Sequence, residues 1–136
     1  MSVKLERVVK TFYDNLEEGK ITGRKCTKCG AVEFPPVYAC NTCGCMDMEW
    51  VEISGKAKFH SIVMPAALST KPQYAEMNPF AYCEVEIEEG ARLNAVVRGI
   101  TRKKRKELIN KLPGNCHAEI LQRDGYKTVV FQLDED

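Results

Sequence analysis

Two short cysteine motifs constrain this chain more than any other feature. Residues 26–30 read CTKCG and residues 40–44 read CNTCG, so the pattern Cys-x-x-Cys-Gly occurs twice. A two-residue gap lets both sulfurs of one tight turn face one ion, and the glycine suits a backbone that leaves the turn at positive φ. Four thiolates at tetrahedral corners bind Zn²⁺ at about 2.3 Å each. The sequence therefore predicts a zinc site with the ligands Cys26, Cys29, Cys40 and Cys43.

Other uses of these cysteines stay open at this point. The same knuckles hold a mononuclear iron in rubredoxin-like proteins, so iron competes with zinc. Two disulfides are disfavoured, because the chain has seven cysteines and no signal peptide, which indicates reduced thiols in a cytoplasm. Cys45 could replace a ligand, although Cys43 followed by Gly44 fits the knuckle better. Cys83 and Cys116 lie in apolar, strand-like runs and are predicted core residues.

Length and charge restrict the functional classes. A chain of 136 residues suits one domain or two small ones. The net charge of +1 provides no large field for nucleic acid or an anionic membrane. No apolar run approaches the length of a membrane span. A nucleic-acid partner is therefore disfavoured, and a membrane is not expected.

An amphipathic helix is predicted before the metal motifs. Ser2 can cap it and Gly19 can end it. Its apolar stripe follows a spacing of three and four residues and consists of Leu5, Val8, Val9, Phe12 and Leu16. Such a helix either folds back on the chain or docks on another protein. The candidate partner contacts are Phe12, Tyr13 and Leu16.

From residue 56 onward, apolar residues alternate with polar ones, which is typical of strands. Strands are predicted over residues 56–64, 80–87, 92–98, 115–122 and 126–133, with a helix over 101–112 and a hairpin turn at 123–125. Residues 57, 59, 61 and 63 of the first strand are expected to share one face. A loop over 65–79 carries Tyr74 and Met77 as candidate contacts for a ligand or partner.

Three strands, a helix and two strands form the order of an OB-fold, a five-stranded Greek-key barrel. The expected fold is mainly β, with three parts. Residues 1–19 form an N-terminal amphipathic helix, residues 20–47 a rubredoxin-like zinc ribbon, and residues 48–136 an OB-fold barrel with one short helix.

Several short stretches carry a family resemblance that covers nearly the whole chain. They are residues 12–13, 16–19, 24–30, 34–36, 40–44, 53–56, 80–87, 89–90 and 129–131. Together they resemble the DUF35 family of zinc-ribbon, OB-fold, acyl-CoA-associated proteins. Cys45 departs from the family pattern, which often has a small hydroxyl residue there.

The resemblance implies a non-catalytic partner of a thiolase-fold enzyme. Such partners serve thiolases and hydroxymethylglutaryl-CoA synthases, assemble the complex and shape the passage for the CoA thioester. One pairing belongs to anaerobic aromatic degradation, where a benzylsuccinyl-type CoA thioester is cleaved. The expected partners of this chain are therefore a thiolase-fold subunit, in a hetero-oligomer, and the CoA thioester bound with it.

The sequence gives little support for an active site within the chain. Thiolysis needs a thiolate, a proton-transfer group and an oxyanion hole. The histidines are His60 and His117, and both lie in strand-like segments. No Gly-x-Ser-x-Gly elbow, phosphate-binding glycine loop or His-Glu-x-x-His motif is present. We expect the chain alone to be non-catalytic and the partner to supply the active site.

The basic run RKKRK at residues 102–106 has two interpretations. It is a solvated helix face, or it contacts CoA phosphates through Arg102, Lys103 and Lys104 at the start of a helix. Three functions remain in competition. The favoured one is an accessory subunit of a thiolase-type acyltransferase complex, and the others are a single-strand nucleic-acid-binding module and a rubredoxin-like electron carrier.

Overall fold

The computed structural model describes residues 7–64, 79–123 and 125–134. The predicted Ser2 cap and the predicted contacts at Tyr74 and Met77 lie outside these ranges. The described residues form two helices and eight strands. In chain order these are α1 (Arg7–Glu17), β1 (Thr22–Cys26), β2 (Val32–Glu33), β3 (Met48–Glu52), β4 (Lys56–Phe59), β5 (Phe80–Ile87), β6 (Arg92–Arg98), α2 (Arg102–Leu108), β7 (Gly114–Gln122) and β8 (Lys127–Leu133).

The metal motifs belong to a small antiparallel sheet with the strand order β2-β1-β3. Strand β1 lies in the centre and pairs along its length with β3, from Thr22 opposite Glu52 to Cys26 opposite Met48. The expected ribbon ends at residue 47, but these hydrogen bonds attach residues 48–52 to the ribbon sheet. The third strand of this sheet is therefore supplied by the segment that leads into the barrel.

The remaining five strands form a closed barrel in the order β4-β5-β6-β8-β7, with β7 pairing back to β4. Strands β6 and β8 run parallel and the other neighbours antiparallel. Helix α2 connects β6 to β7. This five-stranded barrel, with its helix between the third and fourth strands, confirms the fold expected from the sequence.

Two details of the barrel differ from expectation. Strand β4 ends at Phe59, and beyond it Ile62 is buried while Val63 is 62% exposed and forms an isolated bridge with Tyr82. The prediction that Val63 shares the inner face with Phe59 is therefore wrong, because regular alternation stops where the strand ends. Helix α2 is also shorter than predicted, since it ends at Leu108.

One apolar core joins the barrel to the ribbon and to α1. Phe59 and Phe131 fill the barrel and are almost fully buried. Phe34, from the ribbon, is buried in the same cluster, and the Phe12 ring of α1 packs against it with centroids 6.1 Å apart. Because the three parts share one close-packed core, α1, the ribbon and the barrel are held in one arrangement.

Two of the cysteines outside the metal motifs lie in the core, as the sequence predicts. Cys83 and Cys116 are buried in the barrel cluster. Burial raises the pKa of each thiol to about 12. Both side chains therefore act as small apolar residues at neutral pH.

Both histidines form hydrogen bonds with carboxylates of the barrel. His60 Nε2 lies 3.0 Å from Glu86 Oε1. His117 bonds to Asp134 through Nδ1 and to Glu119 through Nε2, the latter at 2.9 Å. The hydrogen bond that His117 donates to Asp134, followed by the one that it donates to Glu119, raises the pKa of His117.

This arrangement predicts a pH dependence of stability that disappears in His117→Gln. Because the folded pKa is raised, the His117 contribution is fully present below the unfolded pKa of about 6.5 and is lost as pH rises through the folded value. We expect the urea midpoint of the wild type to fall more than that of the variant between pH 6 and pH 8.5. Equal pH slopes in the two proteins would contradict the assignment. Since His117 is partly exposed, added salt should reduce the difference.

Among the described residues, no helix combines the length and the apolar character that a membrane crossing requires.

Candidate metal centre

The four sulfurs of the two knuckles converge. The Sγ atoms of Cys26, Cys29, Cys40 and Cys43 all lie within 4.8 Å of one another. Cys26 Sγ is 3.5 Å from Cys43 Sγ, and Cys29 Sγ is 3.6 Å from Cys40 Sγ. A disulfide needs about 2.05 Å, whereas tetrahedral bonds of about 2.3 Å place sulfurs about 3.8 Å apart. The separations therefore fit a single four-coordinate metal ion and not two disulfides.

The knuckles have matching backbones. The N–H of Gly30 donates to the carbonyl of Cys26 at 3.0 Å, and the N–H of Gly44 donates to the carbonyl of Cys40 at 2.8 Å. Both glycines have φ of +79°. A residue with a Cβ atom adopts this conformation only at a cost, so each glycine lets the chain leave its turn after the second sulfur. The local sequence thus determines how each pair of sulfurs is presented.

Backbone N–H groups favour the thiolate form of the first cysteine in each knuckle. The N–H of Cys29 points at Cys26 Sγ at 3.5 Å, and this contact lowers the pKa of Cys26 to about 6. The N–H groups of Cys43 and Thr42 likewise lower the pKa of Cys40, with Thr42 N at 3.4 Å from the sulfur. Since metals bind the thiolate form, these hydrogen bonds favour the form of Cys26 and Cys40 that binds a cation.

Cys45 does not belong to the four-sulfur cluster. Its Sγ instead accepts a hydrogen bond from the N–H of Asp47 at 3.4 Å. Cys43 Sγ, by contrast, lies against Cys26 Sγ. The sequence leaves either Cys43 or Cys45 as the fourth ligand, and the structure places Cys43 in the four-sulfur cluster.

Arg24 supports the ribbon and was not identified from the sequence. Its guanidinium donates to the carbonyls of Val37 and Tyr38 at 3.2 and 3.3 Å, and to the carbonyl of Met48 at 3.0 Å. It also lies over the Trp50 ring, 5.4 Å from the centroid. Arg24 therefore ties β1 to β3 and to the segment that leads into the second knuckle. Nothing in the sequence distinguishes it from the other basic residues, because its partners are backbone carbonyls.

The predicted partner contacts on α1 lie in different environments. Leu16 is 0% exposed and so cannot contact a partner directly, which corrects that expectation. The helix folds back on the chain, packing against β1 and β8, and Leu16 lies on the inner side. Phe12 and Tyr13 are half-buried, and the Tyr13 ring meets the edge of Tyr126 at 6.4 Å.

The predicted CoA contacts share the first turn of α2. Arg102 and Lys103 are exposed, and Lys104 is half-buried. Thr101 caps the helix as predicted, since its hydroxyl accepts a hydrogen bond from the N–H of Lys104 at 3.1 Å. The structure thus groups these three cations at the start of α2.

Comparisons with known proteins agree with this architecture. The family model for the ChsH2 rubredoxin-like zinc ribbon domain matches residues 14–45, which include all four clustered cysteines. Among solved structures, the chain described as an Ltp2-ChsH2(DUF35) aldolase superposes with a TM-score of 0.72 at 22% identity, covering 97% of this chain and 98% of that one. A DUF35 protein of unknown function from Sulfolobus solfataricus gives a TM-score of 0.59 at 20% identity, covering 94% of this chain and 86% of that one.

Curated relatives match about two thirds of this chain in sequence. A DUF35 domain-containing scaffold protein of Methanothermobacter thermautotrophicus is 30% identical over 95 residues, which are 68% of this chain and 69% of the relative. A protein of the same description from Methanocaldococcus jannaschii is 27% identical over 92 residues, which are 66% of this chain and 63% of the relative. This chain has a four-sulfur ribbon followed by a five-stranded barrel. Together with the sequence identity to the curated relatives, this architecture places the chain in the DUF35 family.

Proposed function

We propose that this chain is a non-catalytic zinc-binding subunit of a thiolase-type acyl-CoA enzyme complex. Its curated DUF35 relatives are described as scaffold proteins, and a structural neighbour as an Ltp2-ChsH2 aldolase. The observation that carries the proposal is the closed set of four sulfurs. A metal with four protein ligands has no open position for a substrate, so it fixes structure and does not carry out chemistry.

Zinc is the proposed metal on Cys26, Cys29, Cys40 and Cys43. Its d¹⁰ configuration tolerates a tetrahedral set of thiolates without redox activity, which suits a structural centre. Iron in the same position would make the chain a rubredoxin-like electron carrier. Anaerobic purification distinguishes the two, because the zinc protein is colourless and the iron protein is red.

Each of the three expected parts has a role in the proposal. The N-terminal helix (1–19) and the ribbon (20–47) bind a thiolase-fold subunit, with Phe12 and Tyr13 among the contacts. The OB-fold part (48–136) flanks the passage used by the CoA thioester, and Arg102, Lys103 and Lys104 neutralise its phosphates. We place the complex in the cytoplasm. One reaction of the proposed class is the thiolytic cleavage of a benzylsuccinyl-type CoA thioester in aromatic degradation.

The barrel surface argues against the nucleic-acid alternative. Single-strand binders expose aromatic rings beside basic residues. Here Phe80 is only 3% exposed, in a cluster with Val130. Tyr82 is exposed on the same strand, but the next outward residue, Glu84, is a carboxylate that pairs with Arg92 of β6 at 2.9 Å. The exposed ring therefore lies beside an acidic residue and not beside the basic residues that a single-strand binder uses.

Co-expression with the thiolase-fold proteins of the same genome tests the proposal. We expect one of them to co-elute with the metal-loaded chain in a hetero-oligomer and to release CoA faster with this chain than without it. The variant Arg102→Glu/Lys103→Glu should retain assembly but raise the KM for the CoA thioester at least about tenfold, because two phosphate contacts become repulsive.

Three outcomes of this experiment bear on separate parts of the proposal. Turnover by the isolated chain, or the absence of any complex with a thiolase-fold protein, would end the scaffold proposal. An unchanged KM in the charge-reversed variant would remove only the CoA contact. Lys20→Glu changes an exposed lysine outside α2 and serves as the control for charge alone.

A further inference from the structure

A small cavity lies between α1 and the ribbon, and we call it the ribbon–helix groove. Its volume is about 220 Å³, and its lining includes Arg7 and Thr11 of α1 together with Arg24, Tyr38, Met46 and Trp50 of the ribbon. None of the described residues that line it carries a carboxylate. The groove is therefore a pocket with two cations and three large side chains that carry apolar surface.

The groove exposes residues of the kind that bind proteins. Tyr38 is 58% exposed and Met46 is 63% exposed. Aromatic residues, methionine and arginine are enriched in protein interfaces, and buried aromatic and arginine anchors supply most of the binding energy. Two large exposed side chains beside one cavity thus mark a surface suited to a protein partner.

The charge of Arg24 is not compensated within the described part of the chain. Its hydrogen bonds go to three carbonyl oxygens, and its Nε atom is buried without a partner. Arg7, at the exposed side of the groove, forms no ion pair with a described carboxylate. Carbonyl dipoles and the Trp50 ring stabilise a guanidinium but do not neutralise it. An anion that enters the groove therefore gains from both cations.

We propose that the ribbon–helix groove receives a segment of a partner protein that presents a carboxylate side chain next to an apolar one. This inference rests on the proposed scaffold function and assigns a surface to it. Small-molecule sites usually occupy about 300–1,000 Å³. The smaller volume here holds a side chain rather than the nucleotide of CoA. The carboxylate pairs with the arginines while the apolar neighbour packs on Tyr38 and Met46.

The metal centre controls the shape of this groove. Tyr38 precedes Cys40 by two residues, Met46 follows Cys43 by three, and Arg24 precedes Cys26 by two. Three residues that line the groove are therefore close in sequence to three of the four predicted ligands. Removal of the metal should therefore abolish docking, even in a chain whose barrel stays folded.

Photo-crosslinking of the full metal-loaded chain tests the groove within the complex. Tyr38 is replaced by p-benzoylphenylalanine, and Tyr82, which is similarly exposed on the barrel, is replaced in the matched control. We expect position 38, and not position 82, to crosslink to a thiolase-fold subunit at a peptide with Asp or Glu beside an apolar residue. A crosslink to a peptide without a carboxylate, or none at position 38 in an intact complex, would overturn the inference.

Affinity measurements give a second readout. Arg7→Glu and Tyr38→Ala should each weaken the complex at least about tenfold, as for central interface residues, while Lys58→Glu, at an exposed position on barrel strand β4, should leave its affinity unchanged. Unchanged affinity in both groove variants would contradict the inference. Protection of position 38 from crosslinking by free CoA would also contradict it, because the groove would then be a nucleotide site.

A selection of displayed random peptides on the immobilised, metal-loaded chain separates failure of the groove from failure of the scaffold function. If no thiolase-fold subunit binds, the scaffold proposal fails, but acidic–apolar peptides should still be enriched and should lose binding to Arg7→Glu. If a thiolase-fold subunit binds and no such peptides are enriched, the groove inference alone fails.

Discussion

Replacement of Cys26 by serine is expected to remove the metal and to unfold the ribbon while the barrel remains folded. Among the described residues, the cluster around the site has Cys26, Cys40 and Met48 as its buried members, and Ala31, Val37 and Cys45 pack against them partly buried. So small a core cannot offset the conformational entropy of ordering the ribbon, which is about 1–2 kcal/mol per residue for the backbone alone. A structural zinc ion contributes about 10–16 kcal/mol of binding free energy at neutral pH. The ion is therefore the main source of ribbon stability.

Elemental analysis and hydrogen exchange measure the two effects together. We expect the wild type to carry one metal ion per chain and Cys26→Ser to carry almost none. Amide protection in β1 and β3 should fall to that of an open segment, whereas β5 and β6 should stay protected. Cys45→Ser is the matched control and should keep its metal, since its sulfur lies outside the four-sulfur cluster. A metal-free Cys26→Ser chain with a fully protected β1 would show that the ribbon folds without an ion.

The sequence predicts the metal centre and most of the barrel because both depend on local patterns. Each Cys-x-x-Cys-Gly motif builds its knuckle through hydrogen bonds within six residues, so spacing alone indicates the geometry. Strands β5 and β6 begin and end where alternation predicts, because one face of each strand packs into the barrel. The inward residues Ala81, Cys83, Val85 and Ile87 of β5 are all buried as expected.

The features that the sequence does not predict depend on contacts between distant segments. An apolar stripe at helical spacing shows that α1 must cover something, but not whether Leu16 faces this chain or another protein. The ribbon strands are too short for a periodic signal, and β3 joins the ribbon only through its pairing with β1. Arg24 is missed for a similar reason, because its carbonyl partners lie 13 to 24 residues away. Such contacts leave no mark in composition or period.

Gly114→Ala is expected to destabilise the barrel by about 3 kcal/mol or more, because overpacking against a rigid core is costly. Gly114 lies opposite Phe59 in the β4–β7 pair, and an added Cβ would lie 2.2 Å from Cζ of that ring. Phe59 is fully buried and cannot move aside. Gly114 does not have a positive φ, so the effect comes from this contact rather than from backbone strain. Urea unfolding of the metal-loaded chain measures the loss.

Asn115→Ala, at the exposed neighbouring position, should stay within about 0.5 kcal/mol of the wild type. Phe59→Leu, which shortens the ring side chain, should be less harmful in the Gly114→Ala background by at least about 1 kcal/mol, since the two residues share one contact. Additive effects of the two changes, or an alanine variant as stable as the wild type, would show that the barrel does not need this close approach of glycine and aromatic ring.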